Sequence, residues 1–217
     1  MDAELDEIDR DGAIRDAMDG LGLTRRQALR NGAAGAVGAA AAGGLLIGAP
    51  EAMAKGRKTD LKVLQLAYLL EGLGVTFYGL AARGGDLSGK TQLFAQTVYG
   101  HEIAHRAFIA NAIRGMGATP AAPPKFHFGS IPHDARRFRR NAEAIESMCV
   151  QVINGAGPLV TRPLLAAAGE LVSVEARHVS WIRQIIGVTP APAAFDTTKT
   201  AAQTKRKLKS LGFVKSF

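Results

Sequence analysis

The chain has one cysteine, Cys149, in 217 residues. No intrachain disulfide can form, even in an oxidising compartment, and no cluster of thiolates can hold a soft metal. A Cys-x-x-Cys module is excluded with it, and Cys149 itself lies in an apolar helical run, where a thiol fills core space. Acidic residues are scarce once the N-terminal end is set aside. Of 27 Lys and Arg and 19 Asp and Glu, residues 1–54 hold 5 and 9, which leaves 22 and 10 and a charge near +12. That balance excludes a soluble acidic shell and favours contact with anionic envelope surfaces. Also missing is any convincing alternation of apolar and polar residues at strand period, so the fold class is all-α.

Residues 1–54 read as an export leader. Thr24-Arg25-Arg26-Gln27-Ala28-Leu29-Arg30 is a twin-arginine signal, a Gly/Ala-rich apolar run follows from Gly32 to Ala49, and Ala52-Met53-Ala54 is a small-x-small cleavage site. The mature chain then starts near Lys55 and works in the periplasm, the cell envelope or outside the cell. No cysteine follows the apolar run, so no lipid anchor is expected there. Nucleic acid, the other usual partner of a basic chain, is not expected for an exported protein.

Four helical segments follow. The first spans about 59–83 and ends at Gly84-Gly85, a C-cap signal. The second spans about 88–115. The third begins after Pro132, with Asp134 as cap, and reaches about Gly157. The fourth starts at Thr161-Arg162-Pro163 and ends at Gly187. Joins one–two and three–four are a few residues long, as antiparallel neighbours need. The join from Gly115 to His133 carries Pro120, Pro123, Pro124 and Pro132 and is long enough to cross the length of a bundle. Two helical hairpins joined by one long crossover make a ferritin-like four-helix bundle over 55–190. The basic residues 191–217 are expected as a short fifth helix or a mobile surface tail.

One pattern occurs twice. Glu71 is followed by Glu102-x-x-His105, and Glu146 is followed, at nearly the same separation, by Glu175-x-x-His178. Residues three apart on a helix are about 60° apart around the axis and ~4.5 Å apart along it, so each Glu-x-x-His presents a carboxylate and an imidazole to one point. A lone glutamate from each remaining helix completes the set. Four carboxylates on apolar stripes are costly to bury without partners, and bound cations would offset that cost. Oxygen and nitrogen donors without sulfur suit two iron ions, or two manganese ions, with zinc as a competitor.

At these residues the chain resembles the exported ferritin-like domain proteins of bacteria, a group related to plant desiccation-associated proteins. The shared features are Glu71 with Val75 and Tyr78-Gly79, Glu102-x-x-His105, Glu146 with Val150 and Asn154-Gly155, and Glu175-x-x-His178, over about 59–187. The resemblance implies that Glu102 and Glu175 bridge two metals, that Glu71 and Glu146 are terminal ligands, and that His105 and His178 hold one metal each. No further catalytic residue is expected. A di-iron centre reacting with dioxygen or peroxide is the leading reading. The alternatives are a dimanganese centre that disproportionates peroxide, as in the related manganese catalases, and a non-enzymatic envelope or desiccation-stress protein.

Spacing also nominates Tyr68 and Tyr99, three residues before Glu71 and Glu102, as hydrogen-bond donors to those carboxylates. His101, next to Glu102, is expected to point about 100° away from the site, and His127 and His133 to lie on the surface of the crossover. Trp181 is expected in the core, and the Arg136-Arg137-Phe138-Arg139-Arg140 cluster on a solvated face.

Overall fold

A computed structural model describes residues 50–216, with side chains from Gly56 onward. The export signal and its apolar run, at 1–49, lie outside the described residues. Five α-helices are described: α1 (Pro50–Gly84), α2 (Gly89–Gly115), α3 (Ala135–Ala156), α4 (Arg162–Ile186) and α5 (Ala201–Ser210). Short 3-10 turns at Ile131–His133 and Gly157–Leu159 precede α3 and α4. No strand is present among the described residues. Among the described residues the first helix already runs ahead of the expected start at 59.

The helix ends are set by local chemistry. Asp134 caps α3, its carboxylate accepting the Arg137 backbone N–H at 2.8 Å. Gly187 closes α4 at φ 85°, the left-handed conformation that a glycine adopts without a Cβ penalty. The start of α4 is tied to α1 by Asp60, a buried carboxylate that accepts from Thr161 N at 3.0 Å and from Thr161 Oγ1 at 2.6 Å.

The core has two ends. At one, Phe77, Phe94, Phe128, Phe138 and Phe213 gather, with Phe77 stacked on Phe138 at 5.3 Å and Phe128 edge-on to Phe213 at 5.0 Å. At the other, Leu64, Ile109 and Ile113 pack with Leu164 and Leu171. Trp181 packs edge-on to Phe94 at 5.1 Å, against the core as expected. Between these apolar ends lies the middle of the bundle, where the repeated glutamates fall.

The short fifth helix expected after 190 is present as α5, and the segment from there on packs against the bundle. Thr200 and Gln203 form a capping box that starts α5, and Leu208, Phe213 and Val214 are buried. The crossover is clasped by the same segment: Phe126 bridges Val214, and His127 N–H donates to Phe213 O at 3.0 Å. Periodicity in α5 carries little sign of this, because only Leu208 there is a large apolar anchor. Phe213→Ala is expected to cost about 3–5 kcal/mol, the usual loss for a large buried aromatic. Denaturant unfolding would check it, and a loss below about 1 kcal/mol would show the clasp to be superficial.

Candidate metal centre

All six residues of the repeated pattern meet inside the bundle. Glu71 comes from α1, Glu102 and His105 from α2, Glu146 from α3, and Glu175 and His178 from α4. Their donor atoms fall into two groups. Glu71, Glu102, His105 and Glu175 form one, and Glu102, Glu146, Glu175 and His178 form the other, with all donor atoms of a group within 4.8 Å of one another. Glu102 and Glu175 belong to both. The four glutamates and His178 are no more than 2 % exposed, so water does not solvate them. His105 is the most open member, with 14 % of its side chain exposed.

The glutamate of each Glu-x-x-His needs room, and Gly74 provides it for Glu102. A Cβ on Gly74 would lie 2.7 Å from Glu102 Cδ, inside contact distance. Glycine costs about 1 kcal/mol relative to alanine in a helix interior, and here it leaves the space that the carboxylate fills.

Both histidines turn Nδ1 inward. His105 Nδ1 lies 2.9 Å from Glu175 Oε1 and 3.5 Å from Glu71 Oε2. His178 Nδ1 lies 2.9 Å from Glu146 Oε2 and 3.6 Å from Glu175 Oε2. The His105–Glu175 contact is close, yet it is not aligned as a hydrogen bond. Glu71 Oε2, Glu102 Oε1, both oxygens of Glu175 and His105 Nδ1 are buried with no hydrogen-bond partner. Such atoms cost about 1–3 kcal/mol each if left so. Neighbouring donors on one octahedral ion at about 2.1 Å sit ~3 Å apart, so close but unaligned donors are what a cation between them requires. The residues therefore fit hard or borderline metal ions, and no sulfur joins either group.

Electrostatics point the same way. Burial raises Glu71 and raises Glu102 far above the ordinary carboxylate range. Burial, helped by the nearby Glu175 charge, pushes Glu146 up to about 8. Glu175 is the exception: burial would raise it, but the flanking His105 and His178 outweigh burial and hold it near 2. Burial would likewise lower the two imidazoles, and their carboxylate neighbours win, taking His105 to about 10 and His178 to about 9. Without cations, protons hold the carboxylates of this cavity together.

A ferritin-like domain profile matches residues 59–188, well over half of the chain. The chain belongs to the ferritin-like domain family. The five helices, the long crossover and the carboxylate and imidazole cluster of this ferritin-like chain agree with that assignment. No curated protein matches the sequence.

Two neighbours of the cluster differ from the spacing-based expectation. Tyr68 and Tyr99 do not serve the carboxylates. Tyr68 lies under the Arg106 guanidinium at 4.7 Å, and Tyr99 accepts a hydrogen bond from Arg83 at 3.3 Å. Side chains on a helix lean toward its N-terminus, so a phenol three residues before a glutamate leans away from it, and here each meets an arginine instead. The hydroxyl that serves the site is Tyr78, two turns after Glu71 on the same stripe, which reaches across and donates to Glu146 Oε1. His101 also differs. It is exposed, but its Nδ1 lies 2.8 Å from Nε2 of His178. Adjacency to Glu102 concealed this; the four-residue step from His101 to His105, just over a full turn, was the signal available. His133 sits on the surface against Asp86 at 2.7 Å, and neither it nor His127 joins the cluster.

Proposed function

We propose that this ferritin-like chain holds two iron ions and reacts with dioxygen or peroxide, as a ferroxidase or a peroxide-removing oxidoreductase. The observation behind the reading is that Glu102 and Glu175 each belong to both four-residue groups. A carboxylate has two oxygens, and two shared carboxylates are the means by which one cavity holds two ions side by side. Glu102 and Glu175 would bridge, Glu71 and Glu146 would each complete one position, and His105 and His178 would bind one ion each through Nδ1. A bound ferrous pair supplies two electrons to a small oxidant.

The chain does the rest. Four carboxylates match the four positive charges of two divalent ions, and the protons that occupy Glu71, Glu102 and Glu146 leave as cations enter. The apolar ends of the core keep bulk water from the donors. His105, the most open member, leaves its position the nearer to solvent.

Elemental analysis of protein purified from its native host, with an absorption spectrum after oxidation, tests this. Two irons per chain are expected, falling below one in Glu102→Ala and in Glu175→Ala. Two manganese ions, with peroxide consumed in the absence of an electron donor, would replace the iron reading by the dimanganese one. Unchanged metal content in both alanine variants would sink either. We further propose export by the twin-arginine route, on the strength of Thr24-Arg25-Arg26 and the apolar run after it, and peripheral contact of the basic surface with anionic envelope components.

A further inference from the structure

The two halves of the cluster come from a repeat, so corresponding positions can be compared. Helix α3 repeats α1 in the register that sets Glu146 at the place of Glu71, and α4 repeats α2 in the register that sets Glu175 at the place of Glu102. Tyr78 therefore corresponds to Ile153, and His101 to Val174. Both polar members of these pairs serve the same half. Tyr78 donates to Glu146 Oε1, and His101 Nδ1 meets His178 Nε2. At the matching places beside Glu71 and His105 the repeat supplies only Ile153 and Val174. The hydrogen bonds follow suit: Glu146 and His178 have partners on every polar side-chain atom, whereas Glu71 Oε2 and His105 Nδ1 have none.

We infer that the two cation positions are unequal, and that Tyr78 and His101 are positioning residues that make the Glu146/His178 position the tighter of the two. The inference rests on the dinuclear reading above. When Nδ1 of His178 holds a cation the ring is neutral, and its proton sits on Nε2. That N–H donates to His101 Nδ1, which fixes the tautomer, holds the ring plane and strengthens Nδ1 as a donor. Tyr78 holds Glu146 by one oxygen and leaves the other facing His178. The Glu146/His178 donors are therefore set before a cation arrives, while Glu71 and His105 must be ordered by the cation itself, on the side nearer to solvent.

The test is a manganese(II) titration of the metal-free full chain, read from the loss of the free-ion EPR signal. Wild type should bind two ions in steps at least about tenfold apart. His101→Phe should weaken the first step by about 10-fold or more, the usual effect of removing such a partner, and leave the second unchanged. Tyr78→Phe should act on the same step. His101→Asn, whose Oδ1 can accept in place of Nδ1, should restore the first step. His101 is on the surface, so its variants should fold, and circular dichroism checks that they and the buried Tyr78→Phe do. Two equal steps in wild type, equal weakening of both steps by His101→Phe, or no rescue by His101→Asn would overturn the inference while the dinuclear reading stands. No binding to wild type at all would overturn both.

Discussion

Ferrous or manganous ions added to the metal-free protein should raise its Tm by about 8–16 °C at pH 8, and by much less at pH 5. The size follows from linkage: saturation at ~1,000 times Kd adds about 4 kcal/mol, and each kcal/mol moves Tm by about 2–4 °C in a domain of this size. The pH dependence follows from the direction of each shift. Glu71, Glu102 and Glu146 all have folded values above the ordinary 4.5, so their protonated forms support the fold fully below about 4.5 and that support is lost as pH rises through each folded value, about 8 for Glu146. His105 and His178, raised from 6.5 to about 10 and 9, contribute fully below 6.5 and lose their contribution as pH rises through those values. Glu175, lowered to about 2, contributes above 4.5 and loses its contribution only as pH falls through 2. Above pH 5 every titrating group of the cluster therefore pulls the metal-free fold toward lower stability as pH rises. Cations compete with those protons, so their stabilising effect grows over the same interval. Thermal scans at pH 5, 6, 7 and 8, with chelator or with metal, check this. A metal-induced gain that stays flat or shrinks with rising pH would contradict the assignment of the cavity.

Gly74→Ala should remove metal binding without unfolding the chain. The added methyl would occupy the place of the Glu102 carboxylate, and Glu102 is one of the two residues common to both donor groups. The variant should hold less than one ion per chain and keep less than half of the metal-induced Tm gain. Helix content of the metal-free form should be unchanged, since alanine is favoured over glycine in a helix interior by about 1 kcal/mol. Elemental analysis and far-UV circular dichroism together decide it. A variant that still holds two ions would show that Glu102 finds another route into the cavity.

The architecture was legible because it is written in periodicity. Four apolar stripes, capped by Asp134 and stopped by Gly84-Gly85 and Gly187, leave little freedom in where the helices fall, and the single long join decides how the hairpins pair. The six chemical residues stood out for a related reason: a carboxylate on an apolar stripe is costly, and the same exception recurred twice at matched spacing. What periodicity along one helix cannot report is contact between helices. Tyr78 meets Glu146 across 68 residues of sequence, and His101 meets His178 across 77. Gly74 was hidden differently, since its contribution is absence of volume, and only a glycine in mid-helix marked the place. The C-terminal clasp was obscured by its charge: one leucine in α5 and Phe213-Val214 beyond it carry the packing, among lysines that read as solvated.

Neither hairpin of this bundle owns a complete centre. The first group takes three residues from the α1–α2 hairpin and Glu175 from the other, and the second takes three from the α3–α4 hairpin and Glu102 from the other. The ions would therefore act as rivets, and only the proline-containing strap between the hairpins makes both halves belong to one molecule. Were two copies to exchange hairpins through that strap, each rebuilt bundle would present the same two groups of donors.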